Sequence, residues 1–303
     1  MGLGQYRSDV TSRPLGDPYL HPPAFAVREV VARCLAEDLT PLGDLSASLI
    51  DPTASIDAQV VARAEGRLAG TAAFTEAFAQ LDPSVTVTWR VPEGAVVGAK
   101  DVLADVSGPT SSVLTGERTA LNLLGHLSGV ATLAARFQAA VDDAGGTARI
   151  WDTRKTLPGL RSLEKAAVRA GGCANHRGNL SELVMLKDNH LGDIGITEGV
   201  RRAKERWPAR TVQVECERIQ QVDEAVRAGA DALLLDNMTP DQVRECVALV
   251  AELAPGDRRP LVEASGGMAL DTVGAYGATG VDFISVGAIT NSAPVLDVGL
   301  DLA

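Results

Sequence analysis

From Thr147 onward the chain repeats a short rhythm. Six apolar runs recur: Ala148–Trp151, Leu183–Leu186, Val212–Val214, Ala232–Leu235, Leu261–Val262 and Phe283–Val286. Amphipathic stretches separate most of them, among them Ile196–Trp207, Ile219–Ala228 and Pro240–Leu253. Strand-length runs alternating with helical periodicity predict parallel βαβ units. Six units fall short of the eight that close a (β/α) barrel. The expected architecture is therefore α/β, with an open or incomplete (β/α) barrel of about six parallel strands.

The first half has a different texture. Ala24–Asp38 carries helical apolar spacing in Val27, Val30, Val31, Cys34 and Leu35. Ile56–Ala64 and Val85–Val91 read as strands, the second strictly alternating, with Gly66, Gly70, Gly94 and Gly98 as turn punctuation. These features predict a separate α/β sandwich domain with an antiparallel sheet. Thr115 is placed to N-cap a long apolar helix reaching about Val141. At 303 residues two domains are expected: an arm at 1–23, a sandwich domain at 24–126 and a barrel at 127–289. The arm holds four Pro and three Gly without an apolar core, which is not the pattern of a signal peptide.

Each strand end carries chemistry. In order these ends are Thr153-Arg154-Lys155, Lys187-Asp188, Glu215, Asp236-Asn237, Ser265-Gly266-Gly267 and Gly287. The spacings between them, from 21 to 32 residues, each accommodate one βα unit. Active-site groups of (β/α) barrels gather at the carboxyl ends of the strands. Polar residues end strands in any case, but six consecutive cases that include two lysines and two carboxylates exceed that explanation.

Charge sharpens the picture. The chain has 28 Lys+Arg against 39 Asp+Glu, a net charge of −11, which argues against a nucleic-acid or anionic-membrane surface. Residues 149–190 run the other way, with eight basic and four acidic side chains. A basic segment in an acidic chain predicts a cleft for a small, highly anionic ligand. Arg161, Lys165 and Arg169 recur every four residues and read as a solvated helix face or as partners of Glu164. Arg154, Lys155, Arg177 and Lys187 sit at strand ends or beside His176. The cysteines Cys34, Cys173, Cys216 and Cys246 are scattered without CxxC spacing, so neither zinc nor a disulfide framework is indicated, and a reducing cytoplasmic setting is expected.

The chemistry of the individual groups follows from their types. Glycines in Ser265-Gly266-Gly267 and Gly287-Ala288 let backbone N–H groups approach an oxyanion, and paired glycine loops after the last two strands form the common barrel phosphate site. Glu215 and Asp236, ending adjacent strands, suit Mg²⁺, ribose hydroxyls or positive charge developing on a sugar ring. Glu217 competes with Glu215, because strand alternation points both to one side. The Arg177 fork suits a planar carboxylate. His126 and His190 read as structural, and Cys173 and Cys216 as passive.

Taken together, the segments Gly116-Glu117-Arg118-Thr119-Ala120-Leu121-Asn122, Asp152–Gly159, His176-Arg177, Lys187-Asp188-Asn189-His190, Leu235-Asp236-Asn237-Met238, Glu263–Gly267 and Ile284–Ala288 resemble the quinolinate phosphoribosyltransferases. Glu37-Asp38-Leu39, Gly43-Asp44 and Ala64–Gly70 extend the resemblance into the first half. It implies a reaction in which the ring nitrogen of quinolinate takes the phosphoribosyl group of phosphoribosyl pyrophosphate (PRPP), with Mg²⁺ present. Pyrophosphate and CO₂ leave, and nicotinate mononucleotide, a precursor of NAD, is formed. It also implies that residues 290–303 return to the first domain, and that a homodimer shares its active sites between subunits.

By resemblance, Arg154, His176, Arg177 and Lys187 line the quinolinate pocket beside Thr153, and Arg118 reaches in from the partner subunit. Lys155 and Lys187 face the pyrophosphate. Glu215, now preferred to Glu217, and Asp236 hold the ribose and Mg²⁺. Ser265, Gly266 and Gly267, with Val286, Gly287 and Ala288, hold the 5′-phosphate. The chain departs from the family pattern at Asn291 and Cys173. Three other readings stand beside this one: a type II nicotinate phosphoribosyltransferase, a Schiff-base aldolase at Lys187, and a phosphate-binding module without turnover.

Overall fold

The structure is a computed structural model that describes residues 18–256 and 259–302. Most of the expected N-terminal arm, residues 1–17, lies outside these. The chain divides into two compact units. The first takes in the described residues up to Ala135, Thr156–Gly172 and Ile289 onward; the second comprises Arg136–Lys155 and Cys173–Ala288.

The first unit opens with α1 (Ala24–Leu39), which buries Val27, Val30, Val31 and Leu35, the stripe that its periodicity marks. Then come β1 (Ser55–Ala62), β2 (Gly66–Arg67), α2 (Thr71–Leu81), β3 (Thr86–Trp89), β4 (Val96–Val97) and β5 (Val102–Pro109). The N-terminus of α2 is capped from a distance. The buried Glu93 carboxylate accepts the main-chain N–H groups of Gly70 (2.7 Å) and Thr71 (3.0 Å) and the Thr71 hydroxyl. The long helix α3 (Thr110–Asp143) starts directly after β5, five residues before the expected cap. Thr115 lies inside it and donates its hydroxyl to Asp44 (3.0 Å).

The second unit carries the predicted rhythm. Its strands are β6 (Arg149–Trp151), β7 (Val184–Leu186), β8 (Val212–Cys216), β9 (Ala232–Asp236), β10 (Leu261–Ser265) and β11 (Phe283–Ser285). Its helices are α5 (Asp188–Leu191), α6 (Gly195–Arg206), α7 (Ile219–Arg227), α8 (Pro240–Leu253) and α9 (Val273–Gly277), whereas α4 (Arg161–Ala170) and all but the first residue of α10 (Ala288–Asn291) fall in the first unit. All strand pairs are parallel, in the order β6-β11-β10-β9-β8-β7. Strands β6 and β7 end this order rather than closing on each other, so the barrel is open. Parallel strands covered by helices need apolar side chains on both faces; Val212, Val214, Leu233, Leu235, Val262 and Ile284 are buried accordingly.

Helix α4 departs from expectation. It clusters with the first unit, tied there by Arg33 on the Gly159 carbonyl (3.3 Å) and by Arg169 on the carbonyls of Tyr19 (2.7 Å) and His21 (3.2 Å). Lys165 is buried rather than solvated, and Arg169 caps carbonyls. Glu164 accepts from the His126 ring (2.9 Å) and from the Leu157 N–H (3.2 Å). The final strand, β12 (Val298–Leu302), pairs antiparallel with β1, Ala58 opposite Leu302, completing a sheet of order β12-β1-β5-β3.

Candidate active site

The six parallel strands deliver their carboxyl ends to one side of the second unit, and a cavity of about 410 Å³ opens there. Its cations are Arg154, Lys155, Arg177 and Lys187; its carboxylates are Glu215, Asp236 and Glu263. Thr153, His176, Met185, Leu234, Ser265 and Ser285 complete the wall. Side chains two apart on a strand share a face. Thus β8 presents Gln213 and Glu215, β9 presents Leu234 and Asp236, and β10 presents Glu263 and Ser265.

The cationic side is built by turns rather than by helices. Thr153 Oγ1 accepts the Lys155 N–H (2.9 Å), which fixes the turn after β6. Gly287 lets the Lys155 chain pass, because a Cβ there would stand 2.9 Å from Lys155 Cδ. The fully buried Asp152 carboxylate accepts the His176 N–H (2.9 Å) and the Asn175 amide (2.6 Å), drawing the loop after Gly172 over the end of β6. Arg177 donates to Met185 Sδ (3.3 Å) and to the Leu183 carbonyl (3.4 Å). Partial burial, then the neighbouring Arg154 charge, hold its pKa below the usual arginine value, and Glu263 opposes them. It remains a cation, but an incompletely balanced one, suited to an anionic ligand.

The carboxylate side is tied in. Glu215 forms a close ion pair with Lys187. Asp236 accepts the Asn237 side-chain amide (2.7 Å). Asn237 itself takes a left-handed conformation, φ +55°, and its N–H donates to the Ser265 carbonyl (3.0 Å), joining the ends of β9 and β10. Glu217 lies past the end of β8, exposed and away from the cavity, so chain geometry separates the pair that alternation left open. Gly266, Gly267, Val286, Gly287 and Ala288 follow β10 and β11 without lining this cavity. Arg118 belongs to the first unit, exposed on α3, with no ion pair to Glu117 among the described residues. Burial pushes the Cys216 thiol up to about 12, which suits a packing role. Lys187 is paired with the Glu215 carboxylate in a polar wall, not set in the apolar pocket that a Schiff-base lysine uses.

Sequence reasoning passed over Glu263, Gln213 and Ser285. The available signal was a carboxylate inside an apolar run, two residues before the site residue Ser265.

Comparison with known proteins agrees with this arrangement. Residues 44–128 match the N-terminal domain of quinolinate phosphoribosyl transferase, and residues 130–301 match its C-terminal domain. The chain belongs to the quinolinate phosphoribosyl transferase family. The probable nicotinate-nucleotide pyrophosphorylase [carboxylating] of Bacillus subtilis (strain 168) is 40% identical over 262 residues, 86% of this chain and 88% of that protein. The Homo sapiens nicotinate-nucleotide pyrophosphorylase [carboxylating] is 38% identical, covering 92% of this chain and 93% of its own. Among solved structures, the nicotinate-nucleotide pyrophosphorylase from Francisella tularensis superposes with a TM-score of 0.88 at 33% identity, covering 95% of this chain and 99% of that one. The family match thus spans both units and every strand that faces the cavity.

Proposed function

We propose that this cavity transfers the phosphoribosyl group of PRPP to quinolinate with decarboxylation, giving nicotinate mononucleotide, pyrophosphate and CO₂ for NAD biosynthesis. The observation that carries the reading is what the cavity gathers: the cations Arg154, Lys155, Arg177 and Lys187 together with Glu215 and Asp236, which end the adjacent strands β8 and β9. Quinolinate brings two carboxylates and PRPP a phosphate and a diphosphate, and the cations match them. The ring nitrogen's lone pair forms the new bond to ribose C1 while the bond from C1 to the pyrophosphate oxygen breaks, its electron pair leaving with pyrophosphate. Positive charge grows on the ribosyl centre, and Glu215 and Asp236 stabilise it. The carboxylate at ring position 2 then leaves as CO₂. Its bonding electrons stay on the ring carbon beside the cationic nitrogen, and that carbon takes a proton.

Lys187 bridges the two halves of this chemistry, since its ammonium is held against Glu215 and is available to the leaving pyrophosphate. Arg154 and Arg177 orient the ring acid. Among the described residues no three His, Cys, Asp or Glu side chains form a metal-binding cluster. Glu215 and Asp236, carboxylates that end adjacent strands, are the residues that would hold Mg²⁺. Bound there, Mg²⁺ would supply charge neutralisation to the leaving group. No described helix is long and apolar enough to cross a membrane, and the four free cysteines fit a reducing cytoplasm. We further propose a homodimer in which the partner subunit's Arg118 completes each quinolinate pocket.

Mixing the chain with quinolinate, PRPP and Mg²⁺ is expected to release CO₂ and nicotinate mononucleotide. Nicotinate is expected to be a poor substrate, because a carboxylate fork left without its anion costs roughly 1–3 kcal/mol. Equal use of nicotinate would overturn the carboxylating assignment.

A further inference from the structure

One wall residue of the cavity has chemistry that none of the steps above uses. Met185, on β7, is half-buried and lines the cavity. Its Sδ accepts an N–H from Arg177 Nη2 (3.3 Å), while Nη1 donates to the Leu183 carbonyl (3.4 Å). A thioether is a weak acceptor, so on this side Arg177 gives up little by turning to an anionic ligand. The same sulfur lone pairs are nucleophilic, and a small oxidant reaches them through the cavity.

The other methionines among the described residues lack that path. Met238 is 4% exposed and its Sδ accepts the Cys246 thiol (3.7 Å); Met268 is 9% exposed. The thiols compete poorly. Cys173, Cys216 and Cys246 are buried. Burial first, then the Glu37 charge, hold the half-buried Cys34 thiol above its usual value, which keeps it from the reactive thiolate form.

We propose that Met185 is an oxidation site whose modification closes the ring-acid pocket. A sulfur lone pair attacks one oxygen of hydrogen peroxide, and the S–O bond forms as the O–O bond breaks. The departing hydroxide takes the proton left on the sulfur-bound oxygen and leaves as water. Sulfur is oxidised, peroxide is reduced by the same electron pair, and a sulfoxide remains. Its oxygen is a far stronger acceptor than the thioether and lies next to a guanidinium that already donates there. It therefore competes with an anionic ligand for Arg177. That this ligand is a ring carboxylate rests on the quinolinate reading above.

The test exposes the native chain to dilute hydrogen peroxide and follows it by peptide mass spectrometry and calorimetry. The Met185 peptide is expected to gain one oxygen at least about fivefold faster than the Met238 and Met268 peptides. The oxidised chain is expected to bind quinolinate at least about tenfold more weakly than the untreated chain. Met185→Leu keeps the volume, and its affinity after peroxide is expected to stay within about twofold of its own untreated value. Faster oxidation of Met238 or Met268, or an equal peroxide-induced loss in Met185→Leu, would overturn the proposal.

A further measurement needs neither the variant nor quinolinate. Phenylglyoxal labels arginine side chains, and Arg177 is expected to react at least about threefold more slowly in the oxidised chain than in the untreated one. An unchanged rate would show that the sulfoxide does not hold Arg177, and would also end the proposal. An untreated chain that binds no quinolinate would overturn the functional reading instead, and the mass spectrum and the Arg177 labelling rate would still decide what happens at Met185.

Discussion

Asp236 owes its place to its neighbour. The left-handed turn at Asn237 swings that residue's amide back onto the Asp236 carboxylate, and among the described residues no cation pairs with Asp236 as Lys187 pairs with Glu215. Removing it should therefore touch the ribosyl centre and little else. Asp236→Ala is expected to lower kcat by about 10²–10³-fold, while calorimetry shows quinolinate binding unchanged. A large loss of quinolinate affinity with normal turnover at saturation would place Asp236 in the wrong part of the cavity. The cysteines give a second expectation. Burial leads the causes that raise Cys216 to about 12 and Cys246 to about 11. Raised values leave both as neutral thiols at pH 8, so iodoacetamide is expected to label neither in the folded chain, as read by mass spectrometry. At this scale the sequence shows side chains at strand ends well, because a polar residue closing an apolar run stands out. It hides Glu263, whose partners Gln213, His176 and Ser285 are 50, 87 and 22 positions away and meet only when the strands do.

The elements divide along the same line between local and distant causes. All six strands of the open barrel were legible, since a parallel strand covered on both sides must be an apolar run whatever surrounds it. The start of α3 was not: Thr115 has the chemistry of a cap, but β5 pairs with β1 as far as Pro109 and hands the chain straight to the helix. Helix α4 misled for a similar reason. Its Arg161, Lys165 and Arg169 have the spacing of a solvated face, yet tertiary packing buries Lys165 and gives Glu164 to His126, 38 residues away. The glycine turn after β10 offers a test at this scale. Gly266 has φ +100°, and a Cβ there would lie 2.3 Å from Asn237 Oδ1 and 2.8 Å from its main-chain nitrogen; Gly267 has φ +56° and nothing within 4 Å. Gly267→Ala is expected to cost only the left-handed penalty, about 1 kcal/mol. Gly266→Ala adds a clash that must displace Asn237, so it is expected to lower Tm further and to depress kcat through Asp236. Equal Tm values for the two variants would show that Asn237 yields freely.

For the whole molecule, the −11 charge and the basic segment 149–190 turn out to be distributed in space as well as in sequence. Arg154, Lys155, Arg177 and Lys187 line the cavity, whereas Arg161, Lys165 and Arg169 lie on α4 in the other unit. Four of the segment's eight basic side chains therefore face the cavity, and the quinolinate reading adds one more cation from outside the second unit. Arg118 is the residue proposed to provide it, from a partner subunit. If so, Arg118→Ala and Lys187→Ala should each be nearly inactive alone, and mixing them under conditions of subunit exchange should restore activity. A heterodimer carries both lesions in one site and neither in the other. With random exchange about half the dimers are mixed, so about a quarter of all sites become intact. An Arg118 that acts within its own subunit would leave both variants and the mixture dead. An Arg118 that is only an exposed helical cation, worth under about 1 kcal/mol, would leave Arg118→Ala nearly as active as the native chain. Recovery toward a quarter of native activity is the outcome that requires a shared site, because only an exchange of whole subunits can bring an intact Arg118 and an intact Lys187 to the same cavity.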